Sequence, residues 1–143
     1  MTLKIWTAAL LLAAAFALPA AADTSSPLGK WRTFDPDSGA AKTVVEITET
    51  NGTLEGKIVE LLDQSETVCT ECDGERKNQP LLGMVILWGL TQDGDEWSGG
   101  TILRPANGKT ANASLELSDN GAKLEVTGKK GPMSRSQTWE RVE

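Results

Sequence analysis

Two cysteines are the residues whose type and spacing most directly suggest chemistry. Cys69 and Cys72 form a Cys-x-x-Cys pair, a spacing that occurs in redox-active thiols, zinc sites and haem attachment sites. A structural zinc ion needs two further soft ligands, and the chain has no His and no third Cys. Haem attachment needs a His directly after the pair, where Asp73 stands. We therefore expect a structural disulfide, with a redox-active pair, free thiols or an intermolecular bond as alternatives.

Carboxylates are the other candidates for chemistry. Asp35 and Asp37 form one acidic cluster, and Asp93, Asp95 and Glu96 form another. Either cluster could act as acid and base or bind calcium, but both lie beside glycines in predicted turns, where Asp is favoured for backbone reasons. The chain also has no His and no Tyr. We therefore expect no metal, no cofactor and no catalytic residues.

The N-terminus has the three parts of a secretory signal peptide. Lys4 supplies the positive charge, residues 5–18 are apolar, and Ala20 to Ala22 offer a small-residue cleavage site. The apolar stretch is too short to span a bilayer. We predict a signal peptide at residues 1–22 and one domain at residues 23–143, located in the periplasm or secreted, with no transmembrane segment.

The charge of the chain narrows the choice of partners. The net charge is −6 at pH 7, and it becomes more negative once Lys4 is removed with the signal peptide. No run of Lys or Arg is present. A negative surface of this kind predicts that neither nucleic acid nor an anionic membrane is a partner.

Period-two alternation of apolar and polar residues runs through the rest of the chain and predicts eight β-strands. Four tight turns separate several of them, at Asn51-Gly52, Asp93-Gly94, Asn107-Gly108 and Asn120-Gly121. These short connections indicate an antiparallel meander, and closure into an up-and-down barrel would remove its edges. We predict an all-β, eight-stranded antiparallel barrel, with a two-sheet sandwich as the alternative. Residues 84–90 are apolar on both faces, which predicts a central strand.

Small residues alternate with larger ones at positions that we expect to face the barrel interior. They are Gly56, Gly100, Ala111, Ala113 and Gly128. Since an eight-stranded barrel either fills with side chains or holds one small ligand, these residues predict a cavity. They could equally mark tight corners of the barrel.

Two features of the sequence resemble known families. Gly29-Lys30-Trp31 near the start and Arg141 in the last strand resemble the lipocalin arrangement, in which an arginine packs on the tryptophan of strand one. This resemblance implies structural roles for Gly29, Trp31 and Arg141.

Six segments together are similar to the bacterial secreted family catalogued as domain of unknown function 2147. They are Leu28-Gly29-Lys30-Trp31, Gly56-Lys57-Ile58-Val59, Pro80-Leu81-Leu82-Gly83-Met84, Gly94-Asp95-Glu96-Trp97-Ser98-Gly99-Gly100, Asn107-Gly108-Lys109-Thr110 and Ser136-Gln137-Thr138-Trp139. The resemblance implies a lipocalin-like barrel exported from a bacterial cytoplasm and implies no established reaction. Arg104, Ala111 and Lys129-Lys130 depart from the family pattern and remove apolar surface near the barrel.

We therefore expect an exported envelope protein that binds an apolar or amphipathic small molecule inside the barrel. The expected contacts are Trp88, Met84, Ile58, Ile102 and Leu115. For any one tryptophan, core filling is the alternative role. The alternative function is a solid barrel that acts through protein-protein interaction at the long polar stretch of residues 63–79, which holds both cysteines.

Overall fold

The computed structural model describes residues 24–142, and the predicted signal peptide at residues 1–22 lies outside this range. The strands are β1 (Gly29–Phe34), β2 (Ala41–Thr50), β3 (Thr53–Leu61), β4 (Val85–Asp93), β5 (Glu96–Arg104), β6 (Lys109–Ser118), β7 (Lys123–Lys130) and β8 (Met133–Arg141). Each strand pairs antiparallel with the next, and β8 pairs back with β1. The predicted eight-stranded up-and-down barrel is confirmed.

The two ends of the barrel differ in their connections. At the end that we call the closed end lie three tight turns and the segment that leads into β1. In the β2–β3 turn, Asn51 and Gly52 have φ values of 53° and 81°, the two positive values that a type I′ hairpin requires. At the opposite end, the open end, lie the β1–β2, β5–β6 and β7–β8 turns and the long β3–β4 connection.

Tryptophan and arginine seal the closed end. Trp31 is fully buried, and its indole Nε1 donates a hydrogen bond to the Pro27 carbonyl oxygen at 2.9 Å. The Arg141 guanidinium lies over the Trp31 ring, 4.3 Å from its centroid. Gly29 begins β1 at φ 129°, a backbone conformation that a residue with a side chain rarely adopts.

A bulge in β4 decides which of its apolar residues face inward. Gly89 has φ 76°, and the register of β3 with β4 shifts beside it. Because one extra residue is accommodated there, Leu87 and Leu90 both point into the barrel and are fully buried. The sequence predicted a central strand from its two apolar faces, but a central position does not distinguish β4 from the other strands. In a closed barrel every strand has two neighbours, and the outer apolar face of β4 is covered by a loop instead.

The small residues that predicted a cavity are mostly packed against larger neighbours. A Cβ on Gly56 would lie 3.0 Å from the Leu87 Cβ, and a Cβ on Gly100 would lie 2.6 Å from the Leu90 Cγ. These glycines allow leucines to approach the opposite backbone closely, so they do not leave space. The lower part of the barrel, toward the closed end, is accordingly a packed core.

Candidate functional site

The β3–β4 connection, residues 62–84, forms a layer on the outside of the barrel, which we call the Cys loop. Its predicted disulfide between Cys69 and Cys72 is confirmed, with the Cα atoms 5.4 Å apart. The Cys69 N–H donates to the Gln79 carbonyl at 2.9 Å, and its carbonyl accepts from the Asn78 N–H at 2.8 Å. Both cysteines are about 1% exposed. Since thiol exchange needs access to a sulfur atom, this burial favours a structural role over a redox role.

The Cys loop covers apolar residues on the outer face of β4 and β5. Ile86 and Leu103 point away from the barrel interior and join the two cysteines and Leu81 in the buried cluster. The loop also contacts the β5–β6 turn, where a Cβ on Gly108 would collide with the backbone carbonyl of Glu71. A glycine at this position therefore lets the loop lie flat on the turn.

An open cleft of about 610 Å³ lies along one side of the Cys loop. Its lining is Asp73, Glu75, Arg76, Gln79, Pro80, Leu82, Gly83 and Met84. The Arg76 guanidinium lies 4.8 Å from the centroid of the Trp88 ring, and Leu82 is 56% exposed. The cleft therefore combines apolar surface with charged groups of both signs.

A second concave region is the interior of the barrel at the open end. Ile102, Ala111 and Gly128 face inward on β5, β6 and β7, and a Cβ on Gly128 would lie 3.4 Å from the Ala111 Cβ. All three are only half-buried, whereas Leu115 and Val126, further toward the closed end, are fully buried. Apolar interior surface of β5, β6 and β7 therefore becomes accessible toward the open end.

The structure divides the five residues expected to contact a ligand. Ile58, Ile102 and Leu115 face the interior, but Ile58 and Leu115 are fully buried among core side chains. Trp88 pairs with Thr101 on the face opposite to Leu87 and Ile102. Met84 is buried in the core cluster, where its carbonyl accepts a hydrogen bond from the Ile58 N–H, and it also borders the cleft beside the Cys loop. The expectation that Trp88 lines the interior is therefore corrected. Both faces of β4 are apolar, so alternation could not tell its inner face from its outer face.

Sequence reasoning missed two basic residues on the inner face at the open end. Gly128 and Arg135 are register partners, and Lys130 follows Gly128 by two residues on the same face of β7. The inward position of Arg135 could have been predicted, because Arg135 lies four residues before Trp139 on the same strand and so shares the face of this buried residue. Arg104 and Lys109 are paired across β5 and β6, two residues beyond the pair of Ile102 and Ala111.

Acidic residues lie across the opening, on the side formed by β1, β2 and β3. The N–H groups of Ser38 and Asp37 donate to the Asp35 carboxylate at 2.9 and 2.8 Å, and they hold the pKa of Asp35 below its usual value. The N–H of Ser65 lowers the pKa of Asp63 in the same way. Both carboxylates are therefore ionised at neutral pH, and the opening is basic on one side and acidic on the other.

Over residues 24–142, no group of three or more His, Cys, Asp or Glu side chains is arranged to hold a metal ion. Within the same residues, no helix is long and apolar enough to cross a membrane.

Comparison with known proteins agrees with this architecture. The chain is similar in structure to protein HP1028 from Helicobacter pylori, described as belonging to the lipocalin family, with a TM-score of 0.71. The two are 24% identical, and the match covers 82% of this chain and 84% of that one. No curated protein sequence matches. The family model described as "Uncharacterized protein conserved in bacteria (DUF2147)" matches residues 29–141. The chain therefore belongs to this bacterial family and has a lipocalin-like barrel, as its sequence predicted.

Proposed function

We propose that this protein is an exported binding protein of the bacterial envelope that holds an amphipathic small molecule at the open end of its barrel. The observation that carries the proposal is the change in burial along the interior. Ile102, Ala111 and Gly128 are half-buried on the inner wall, while the layer beneath them is fully buried. Concave apolar surface with a few polar groups around it is typical of small-molecule sites.

The packing of the core limits how deep such a ligand reaches. Leu115, Leu87 and Leu90 fill the barrel below the open end, and no apolar tail could pass them without displacing core side chains. The apolar part of the ligand therefore contacts Ile102 and Ala111, and its polar part stays near solvent. A shallow site of this kind corresponds to micromolar affinity, or about −8 kcal/mol.

The exported location rests on two features. The N-terminal pattern of Lys4, an apolar stretch and small residues is that of a signal peptide. A buried disulfide is the second, because such bonds persist in oxidising compartments. We propose binding rather than catalysis because the sequence holds neither His nor Tyr and offers no pair of nucleophile and base.

The test is a titration of the purified mature protein with the dye ANS, followed by dye fluorescence, with two variants of neighbouring residues on β6. Ala111→Phe would fill the inner wall at the open end, and we expect it to weaken dye binding about ten-fold. Asn112→Phe adds the same ring to the exposed outer face and should leave the interior site unchanged. The proposal fails if the folded protein binds no dye, or if both variants bind as the parent does.

A second function is favoured by one observation, the exposure of Leu82 beside the outer cleft. A protein partner that offers an apolar side chain next to a basic one would fit this surface, with Asp73 and Glu75 facing the basic group. A protein that acts only in this way would bind no dye in its barrel. The ANS titration therefore separates the two functions.

A further inference from the structure

Four basic residues form one continuous row on the inner face of the barrel at the open end. Arg104 and Lys109 are direct cross-strand partners on β5 and β6. On β6 and β7, Asn112 pairs with Lys129, so Lys130 lies opposite Ala111. Lys109 is two residues from Ala111 and is therefore the diagonal neighbour of Lys130. On β7 and β8, Gly128 pairs with Arg135. Lys130 is two residues from Gly128 and is therefore the diagonal neighbour of Arg135. Diagonal neighbours in a sheet remain within reach of long side chains.

The positive charge of this row contrasts with the negative charge of the chain. The chain as a whole is acidic, with a net charge of −6, yet the inward positions of the row contain no acidic residue. Over the described residues, the ion pairs involve Arg32 and Lys42, and none involves a member of the row. Like charges that face each other across two strands destabilise a sheet. An anion placed between them would remove this repulsion.

A further donor lies beside the row. The Gln137 amide is exposed on the inner face of β8, two residues beyond Arg135. The part of β8 near the open end therefore presents the donors of Arg135 and Gln137 in succession. The indole Nε1 of Trp139 also has no hydrogen-bond acceptor, but it is buried in the packed core toward the closed end, away from the row.

The acidic residues across the opening do not compete for this row. Asp35 already accepts two backbone N–H groups and lies 3.9 Å from the Lys42 ammonium group. Asp63 accepts the N–H of Ser65. Their charge instead repels an anion from the β1–β3 side and favours its placement on the side of β5 to β8.

We infer that the polar end of the ligand is an oxyanion, either a carboxylate or a phosphate monoester, held by Arg135 and Lys130 on one side and by Arg104 and Lys109 on the other. The inference rests on the proposed binding function and specifies its ligand class, an anionic amphiphile. The apolar part lies against Ile102 and Ala111, and the oxyanion lies in the row of donors. Arginine and lysine both bind such groups through charge-assisted hydrogen bonds.

The experiment uses four ligands with the same ten-carbon chain and compares their affinities for the mature protein by isothermal titration calorimetry, below micelle concentrations. The ligands are decanoate, decyl phosphate, decanol and decyltrimethylammonium. We expect one or both anions to bind about ten-fold more tightly than decanol, and the cation to bind most weakly. The preference should shrink with added salt, because the row is exposed. The tighter of the two anions identifies the headgroup.

Two variants test the location of the anion. The double variant Lys130→Gln/Arg135→Gln should reduce the affinity for decanoate or decyl phosphate to that for decanol and leave decanol binding unchanged. Lys123→Gln removes one charge from the outer face of the same strand β7, near the closed end, and should preserve the anion preference. Circular dichroism confirms that each variant is folded.

The outcomes separate the inference from the function on which it rests. If decanol binds as tightly as the anions, the oxyanion site is refuted while the binding function stands. If the anion preference persists in the double variant, the site lies elsewhere and the inference is overturned. If none of the four ligands binds the folded protein, the binding function fails and the inference fails with it.

Discussion

Arg141 joins three segments at the closed end, and its removal provides a direct test of how the barrel is sealed. Its Nε donates to the Gly121 carbonyl at 2.7 Å. One terminal nitrogen donates to the Leu28 carbonyl at 3.0 Å, and the other donates to the Ser26 carbonyl at 2.7 Å. The same guanidinium stacks on Trp31. We expect Arg141→Ala to destabilise the protein more than any exposed charge does.

The magnitude follows from the contacts. The hydrogen bonds to Gly121 and Ser26 are part-buried, and each contributes about 1.5 kcal/mol, the lower value for bonds to charged groups. Stacking on the indole adds about 1 kcal/mol. The bond to Leu28 is exposed and is replaced by water. Arg141→Ala should therefore cost about 4 kcal/mol and lower the Tm by about 15 °C for a domain of this size.

Thermal and urea unfolding monitored by circular dichroism measure this loss. Arg32→Ala is the matched control, because Arg32 lies on β1 and forms an exposed ion pair with Glu140 at 3.8 Å, and such pairs are worth at most about 1 kcal/mol. Arg141→Lys keeps the charge but loses the planar fork, so it should fall between parent and alanine variant. An Arg141→Ala variant no less stable than Arg32→Ala would refute this account of the closed end.

Two further predictions concern the Cys loop and the core. Replacing both Cys69 and Cys72 by Ser should lower the local stability of the Cys loop by about 2 kcal/mol, because the disulfide closes a short ring. Hydrogen exchange should therefore rise in the Cys loop and not in the barrel, and faster exchange of the core strands would contradict this. Gly100→Ala should cost about 2 to 3 kcal/mol, since its Cβ would overlap Leu90. Gly131→Ala is the control in urea unfolding, because the space around Gly131 is open. An alanine there would lose only about 1 kcal/mol, the cost of a side chain at a φ of 59°. Equal losses for the two glycine variants would show that the core at Gly100 adapts.

The sequence alone determined the architecture of this protein. Alternating residues marked each strand, and Asn-Gly and Asp-Gly pairs marked the turns, because both signals are local and depend on backbone geometry. The disulfide was predictable for a similar reason, since Cys69 and Cys72 are three residues apart and no metal ligand accompanies them. The antiparallel meander followed from the short connections, which leave no room for helical crossovers, and closure was preferred to a two-sheet sandwich because it removes the edge strands.

The tertiary structure decided what faces the interior and what fills it. Alternation assigns residues to two faces of a strand but cannot say which face is inner when both are apolar, and so Trp88 was placed on the wrong side of β4. The bulge at Gly89 and the cover supplied by the Cys loop determine its position. The space beside Gly56 and Gly100 is filled by leucines from a neighbouring strand. The sequence alone does not show where these leucine side chains lie.

The row of basic residues at the open end is likewise a property of the closed barrel. Arg104, Lys109, Lys130 and Arg135 come from four strands and look unrelated along the chain. Pairing register alone brings them to one face and one end. Register depends on contacts between segments far apart in sequence, and a shift of one residue would turn each side chain outward. The fold was therefore predictable from local signals, whereas the site required the three-dimensional pairing of the strands.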